Sequence, residues 1–215
     1  DDSTVIYVIE SEGGSFNALY KSTDDGETFT ELDHAGRNYF GYDIDGFEQG
    51  GQAPRDMDIC VNPQNANEVH IAGILTWRSL DGGTTFEITS DWIPQSAADL
   101  GIGYHHADVD MLAFVGSSLY VGSDGGIFKA ADTSVLSPEY YQDLTTGLGI
   151  RQFYKIGVSQ TPELLVTGGS QDNGSSFYTD TGGWIDFIGA DGMEGFVSKY
   201  NPNIIFGMIQ FGGIY

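Results

Sequence analysis

An eight-residue pattern, S-x-D-x-G-x-T-F, occurs at 22–29 and again 57 residues later at 79–86. Ser22, Asp24, Gly26, Thr28 and Phe29 return as Ser79, Asp81, Gly83, Thr85 and Phe86. A unit that recurs at such a period builds an array of small, similar structural pieces. The residue types describe a turn between two strands. Ser and Asp side chains bond nearby backbone N–H groups, Gly accepts a positive φ, and the aromatic is expected beneath the turn. A worn third copy runs through Ile127–Asp132 and Tyr141–Leu144, a fourth through Tyr178–Trp184, and Phe211–Tyr215 repeats the pattern of Gly125–Phe128.

Short runs of strand composition surround these turns, among them Val5–Ile9, Val69–Ala72, Met111–Val115, Tyr154–Val158 and Ile204–Met208. Asp outnumbers Glu 21 to 10 and there are 31 Gly, a composition that turns often. No helical period of useful length is present. The fold class is all-β. In register, first strands fall near Asp56, Asp108, Phe153 and Gly195, leaving room for four strands per unit, the size of a propeller blade. The sequence therefore predicts one β-propeller segment over 1–215, made of four-stranded antiparallel blades. A partial blade covers 1–33, blades cover about 55–90, 107–145 and 152–188, and a partial blade covers 194–215. The ends do not complement each other, so about four blades of a larger propeller are expected, with the remainder of the longer chain as partner.

The formal charge of -23 repels a phosphate backbone or an anionic membrane, so no nucleic-acid partner is expected. No apolar run is long enough for membrane insertion, and no leader is visible at the N-terminus. Cys60, the single cysteine, sits in an apolar stretch and reads as a buried, inert thiol.

The repeated pattern resembles the Asp-box (BNR) repeat of the β-propeller superfamily. Across most of the chain, stretches such as His106–Asp108, Leu119–Lys129, Thr146–Tyr154, Gly168–Gly174 and Gly189–Glu194 look most like secreted, Bacteroidetes-type BNR-repeat exoproteins described as glycosyl hydrolase-like. Sialidases, xyloglucanases and sortilin-type receptors are more distant kin. The resemblance implies a bacterial protein located extracellularly or on the outer cell surface, and a type IX secretion route. A sialidase would carry an arginine triad and an R-I-P motif. This chain has only Arg37, Arg55, Arg78 and Arg151, with no R-I-P, so that activity is disfavoured.

In a propeller, the starts of the first strands converge on one mouth. That places Arg55, Asp56 and Asp58 beside His105, His106, Asp108 and Asp110, then Arg151, Gln152 and Tyr154, then Asp191 and Glu194. Three readings stand open. Two of Asp56, Asp58, Asp108, Asp110 and Asp191 could be the catalytic pair of a glycoside hydrolase. Hard oxygens from Asp56, Asp58, Asp108 and Asp110 could hold a metal, Ca2+ being the cofactor that they suit, while His106 beside Asp108 and Asp110 points instead to a transition metal. The acids could otherwise just bond backbone and solvate the channel. Arg55, His106, Arg151, Tyr154, Glu194 and Trp92 are the candidate ligand-binding residues. Two long connections, His34–Pro54 and Ser90–Tyr104, carry Tyr39, Phe40, Tyr42, Phe47, Trp92 and Tyr104, which suit either sugar stacking or covering a sheet edge. Asp43–Gly46 with Glu48 reads as a surface turn rather than a calcium loop, and Asp81–Gly83, Asp124–Gly126 and Asp172–Gly174 read as turns rather than phosphate cradles. Trp77 and Trp184 are expected to pack between blades. The expected role is recognition of a polysaccharide or surface protein. Glycoside hydrolysis is the alternative, and a structural part of a large adhesin or secretion cargo the second alternative.

Overall fold

A computed structural model describes residues 4–215. The chain divides into two units, Asp1–Thr146 and Gly147–Tyr215. Nineteen strands, one α-helix and one 3-10 turn (Gln210–Gly212) make the regular structure of the described residues, so the all-β expectation holds.

In the first unit, β1 (Ile6–Glu12), β2 (Ser15–Ser22) and β3 (Thr30–Leu32) form a three-stranded antiparallel sheet in chain order. Next comes a four-stranded meander of β4 (Asp58–Asn62), β5 (Asn65–Ala72), β6 (Thr76–Ser79) and β7 (Glu87–Ile88). A second meander follows, of β10 (Val109–Val115), β11 (Ser118–Ser123), β12 (Gly126–Ala130) and β13 (Gln142–Asp143). Between them, β8 (Ser90–Asp91) and β9 (Gly103–Tyr104) pair in parallel around α1 (Pro94–Leu100). That helix corrects the reading of 90–104 as plain loop. Seven residues are too few to show a helical period, and Pro94 at the start with Gly101 in the left-handed region at the end define it instead.

The core of the first unit lies between its sheets. Leu19 of β2, Phe40, and Val69, Ile71 and Trp77 of the first meander pack together, and Tyr39 meets Trp77 edge-on at 5.2 Å. A second cluster joins Ala72 to Val109, Leu112, Val121, Phe128 and Tyr141. Each large apolar side chain so buried contributes roughly 1.5–3 kcal/mol. Tyr39 and Phe40 thus cover the sheets, while Tyr42, Phe47 and Trp92 remain exposed. Cys60 is half-buried against the second cluster, and burial raises its thiol pKa.

Both copies of the octapeptide close the same hydrogen-bonded turn. Ser22 Oγ donates to Asp24 Oδ1 at 2.7 Å and accepts from the Gly26 N–H at 3.0 Å. Asp24 then accepts from Thr28 N at 3.0 Å and from the Thr28 hydroxyl at 2.6 Å. The second copy repeats these four bonds with Ser79, Asp81, Gly83 and Thr85, at 2.7, 2.8, 2.9 and 2.7 Å. Gly26 and Gly83 adopt φ of 89° and 85°, which is why glycine stands there. Phe86 packs on the core, but Phe29 is exposed, so the aromatic is not beneath the turn in the first copy. Phe86 has the Tyr39 and His34 rings to pack against, at 5.1 and 5.6 Å.

In the second unit, β14 (Lys155–Val158), β15 (Leu165–Gly169), β16 (Ser175–Thr179) and β17 (Gly183–Ile188) form another four-stranded antiparallel meander. It is followed by the hairpin of β18 (Gly192–Val197) and β19 (Ile205–Ile209), with β18 against β14 and β15. Trp184 is not buried between sheets. Half-exposed, it stacks on Phe153 at 5.2 Å, on one face of the meander.

Candidate functional site

Three segments of the first unit meet at one place. The connection before β4 brings Gln52, Arg55 and Asp56, the start of β10 brings Asp108 and Asp110, and the β11–β12 turn brings Asp124. The start of β10 is held by backbone bonds from Asp108 N to Ile74 O and from Val109 N to Gly73 O, at 3.3 and 2.9 Å. The Asp124 N–H in turn donates to Asp108 O at 3.2 Å. Asp108 has φ 62°, a left-handed conformation that Asp tolerates better than most side chains.

Arg55 organises the acids. Its guanidinium contacts Asp110 directly, Asp56 at 3.3 Å and Asp124 at 3.7 Å, while Gln52 donates to Asp108 at 2.9 Å. Asp56 is only 2% exposed, and burial together with Asp108 and Asp124 pushes its pKa up to about 6 against the pull of Arg55. Burial also raises the pKa of Asp108, assisted by Asp124 and opposed by the Gln52 hydrogen bond. The half-exposed Tyr42 borders the group, its phenol coupled to Gln52, Asp108 and Asp56. The result is a strip of hydrogen-bond acceptors with one guanidinium and one aromatic ring. For Asp110, the guanidinium supplies the positive charge that a Ca2+ ion would otherwise bring. His106 is half-buried, its Nδ1 donates to Ala107 O at 3.2 Å, and its ring fills the space where a Cβ on residue 125 would lie, which accounts for Gly125.

The other nominated residues take different places. Asp58 is committed to backbone, accepting from Ile59 N at 2.8 Å and, across to β10, from Leu112 N at 2.6 Å. His105 is fully buried rather than at a mouth, with Nε2 2.9 Å from Thr76 Oγ1. Trp92 stands half-exposed before α1, and among the described residues none of the hydrogen bonds or ion pairs of the Arg55 group involves it. In the second unit, Asp191 accepts from Asp172 N and Gln210 Nε2, both at 2.9 Å, and so braces a turn. Arg151 pairs with Asp186 at 2.5 Å, and Tyr154 bonds Gln171. Glu194 pairs with Lys155 at 2.9 Å. Glu48 of the supposed calcium-loop segment instead accepts from the Tyr42 and Asp43 N–H groups, as a surface turn requires.

Sequence reading missed Gln52 and Asp124. The sequence reads Asp124 as a turn residue, which it is, yet that turn delivers its carboxylate to Arg55. Only the alignment of Asp124-Gly125-Gly126 with the strand start at Asp108 could have signalled this.

No protein-family model matches the chain, and no curated protein matches it. Among solved structures, a GH74 enzyme of Niastella koreensis is similar at 18% identity over 95% of this chain and 32% of its own, with a TM-score of 0.42. A GH74 xyloglucanase from Xanthomonas campestris is similar at 14% identity over 94% of this chain and 33% of its own, TM-score 0.40. YCF48 from Cyanidioschyzon merolae is similar at 10% identity over 93% and 64%, TM-score 0.34. The chain thus spans about a third of the length of the two GH74 proteins. With TM-scores below 0.5, these likenesses assign no activity to it.

Proposed function

We propose that the chain is a segment of an Asp-box β-propeller in an extracellular bacterial protein, and that the strip around Arg55 recognises a polysaccharide without cleaving it. The consecutive four-stranded meanders and the two octapeptide turns closed by the same four bonds support the propeller reading. One observation carries the binding reading: a single guanidinium engages Asp56, Asp110 and Asp124 beside the Tyr42 ring. Fixed charged acceptors next to an aromatic face suit sugar hydroxyls and the apolar face of a pyranose. Asp58 and Asp191, committed to backbone and side-chain amide donors, have no free role as acid or nucleophile.

Glycoside hydrolysis is the second reading because burial and the nearby Asp108 and Asp124 push the Asp56 carboxyl up to about 6, toward the range that a general acid needs. Electrophoresis in gels cast with β-glucans, alongside a reducing-end assay, separates the two. Retardation without new reducing ends, weakened roughly tenfold by Tyr42→Ala, is the expected result. Tyr42 is exposed, so that change spares the core. Release of reducing ends that disappears in Asp56→Asn would establish the enzyme. No retardation and no turnover would leave a rigid spacer in a larger surface protein.

A further inference from the structure

The strip around Arg55 is unequal in charge. Asp56, Asp108, Asp110 and Asp124 bring four carboxylates to one guanidinium, a formal charge of -3 with His106 neutral. Ionised carboxylates accept and never donate, so the four present more acceptor positions than the N–H groups of Arg55 and Gln52 fill. The side chains of Asp110 and Asp124 are 40% and 27% exposed, whereas that of Asp56 is 3% exposed. A ligand therefore meets Asp110 and Asp124 directly, with the half-buried Asp108 beside them, while Asp56 charges the strip from behind.

We infer that the polysaccharide recognised here carries unacetylated amino groups, the ammonium of a hexosamine residue sitting against Asp108, Asp110 and Asp124 while its ring stacks on Tyr42. This rests on the polysaccharide reading of the strip and names its substrate class. Three observations converge. First, an ammonium supplies both things the strip lacks, a second positive charge and three more N–H donors, and its bonds to carboxylates are of the stronger, charge-assisted kind. Second, burial and the neighbouring carboxylates raise the pKa of Asp56 and of Asp108 even though Arg55 lowers both and His106 lowers that of Asp108, so the strip stays electronegative with its own cations in place. Third, Tyr42 is 48% exposed, and its phenol bonds Gln52 and feels the Asp108 charge, so an aromatic ring adjoins the acids. A bare metal ion has no use for that ring, whereas a sugar uses its apolar face on the ring and its ammonium on the acids. The same charge turns away uronic and sulfated glycans, and N-acetylation removes the charge that the strip selects. The 25 acidic and 5 basic residues of the first unit add a long-range field of the same sense.

The test is calorimetric titration of the 215-residue chain, in a slightly acidic buffer that keeps amines protonated, with the β-1,4-linked tetramer of glucosamine, its N-acetylated form and cellotetraose. The glucosamine tetramer is expected to bind about tenfold more tightly than either of the others. Asp124→Asn keeps the shape of the side chain and the backbone bond to Asp108, and is expected to erase most of that preference while leaving cellotetraose affinity unchanged. Tyr42→Ala, at an exposed position, is expected to weaken all three. Equal affinity for the three sugars, each lowered by Tyr42→Ala, would sink the amino-sugar inference and leave the polysaccharide reading standing. Binding of none would remove both. Spermidine or calcium chloride binding as tightly as the glucosamine tetramer, with no response to Tyr42→Ala, would overturn the inference in favour of plain cation attraction.

Discussion

The repeat aligns Asp58 with Asp110, but Asp58 opens β4 opposite Ala72 while Asp110 falls in the bulge between Val109 and Met111 of β10, and one holds backbone while the other meets Arg55. The difference lies in what stands opposite: a neighbouring strand offers the Leu112 N–H to Asp58, and the guanidinium reaches Asp110. Removing the Asp58 carboxylate strands two N–H groups, one of them across the junction between sheets. Asp58→Ala should therefore lower unfolding free energy by about 1–3 kcal/mol in urea titrations while leaving polysaccharide retardation intact. An unchanged midpoint would show that water replaces the carboxylate at no cost. In Asp24 and Asp81, similar acids at a repeated position do have the same duty, because their partners lie within the same eight residues. Hydrogen bonds from Thr28, and from Thr85 against the opposing effect of burial, hold both carboxyls near a pKa of about 2.

At the scale of elements, a buried hydroxyl network ties β6, the β7–β8 connection and the approach to β13 together. Thr76 Oγ1 lies 2.8–2.9 Å from Thr89 Oγ1, Ser90 Oγ, His105 Nε2 and Tyr141 OH. His105 Nδ1 is 2.7 Å from the His106 carbonyl, which can only accept, so Nδ1 carries the proton and Nε2 accepts from Thr76. Burial depresses the His105 pKa to about 4, against 6.5 for the unperturbed ring. The folded state therefore keeps His105 neutral while the unfolded chain protonates it. Stability from this group is complete above pH 6.5 and is lost as pH falls toward 4, by up to about 3 kcal/mol. Asp56 acts in the opposite sense. With its folded pKa near 6, it favours folding as pH falls below 6. In Asp56→Asn that offset is gone, and urea unfolding should show a steeper loss of stability between pH 6.5 and 4 than in the parent chain. Parallel profiles for the two would refute this assignment of protons.

Charge is distributed unevenly over the molecule: the first unit holds 25 of the 31 acidic residues and 5 of the 8 basic ones. Self-repulsion of that order opposes a compact state and is screened as the Debye length falls from about 30 Å at 0.01 M to under 10 Å above 0.1 M salt. The melting temperature followed by scanning fluorimetry should rise between 10 mM and 200 mM sodium chloride. A fall would mean that specific ion pairs, such as those of Arg55, outweigh the general repulsion. Among the described residues no helix is long and apolar enough to cross a membrane.

What the sequence determined by itself was everything that depends on neighbours along the chain. The octapeptide bonds close over five residues, the strands alternate with turn residues, and the all-β class follows from those local patterns. The composition of the Arg55 group was half legible, because Arg55, Asp56, Asp108 and Asp110 lie at equivalent starts of repeats. Tertiary structure decided which acids remain available, since this depends on donors distant in sequence: Gln52 for Asp108, 56 residues away, and Leu112 for Asp58, 54 residues away. It also decided burial, sinking Tyr39 and Phe40 into the core while leaving Tyr42 and Phe211 in water. All four are aromatics outside the strands, and nothing local separates them. Burial is set by which surfaces meet once the chain has folded.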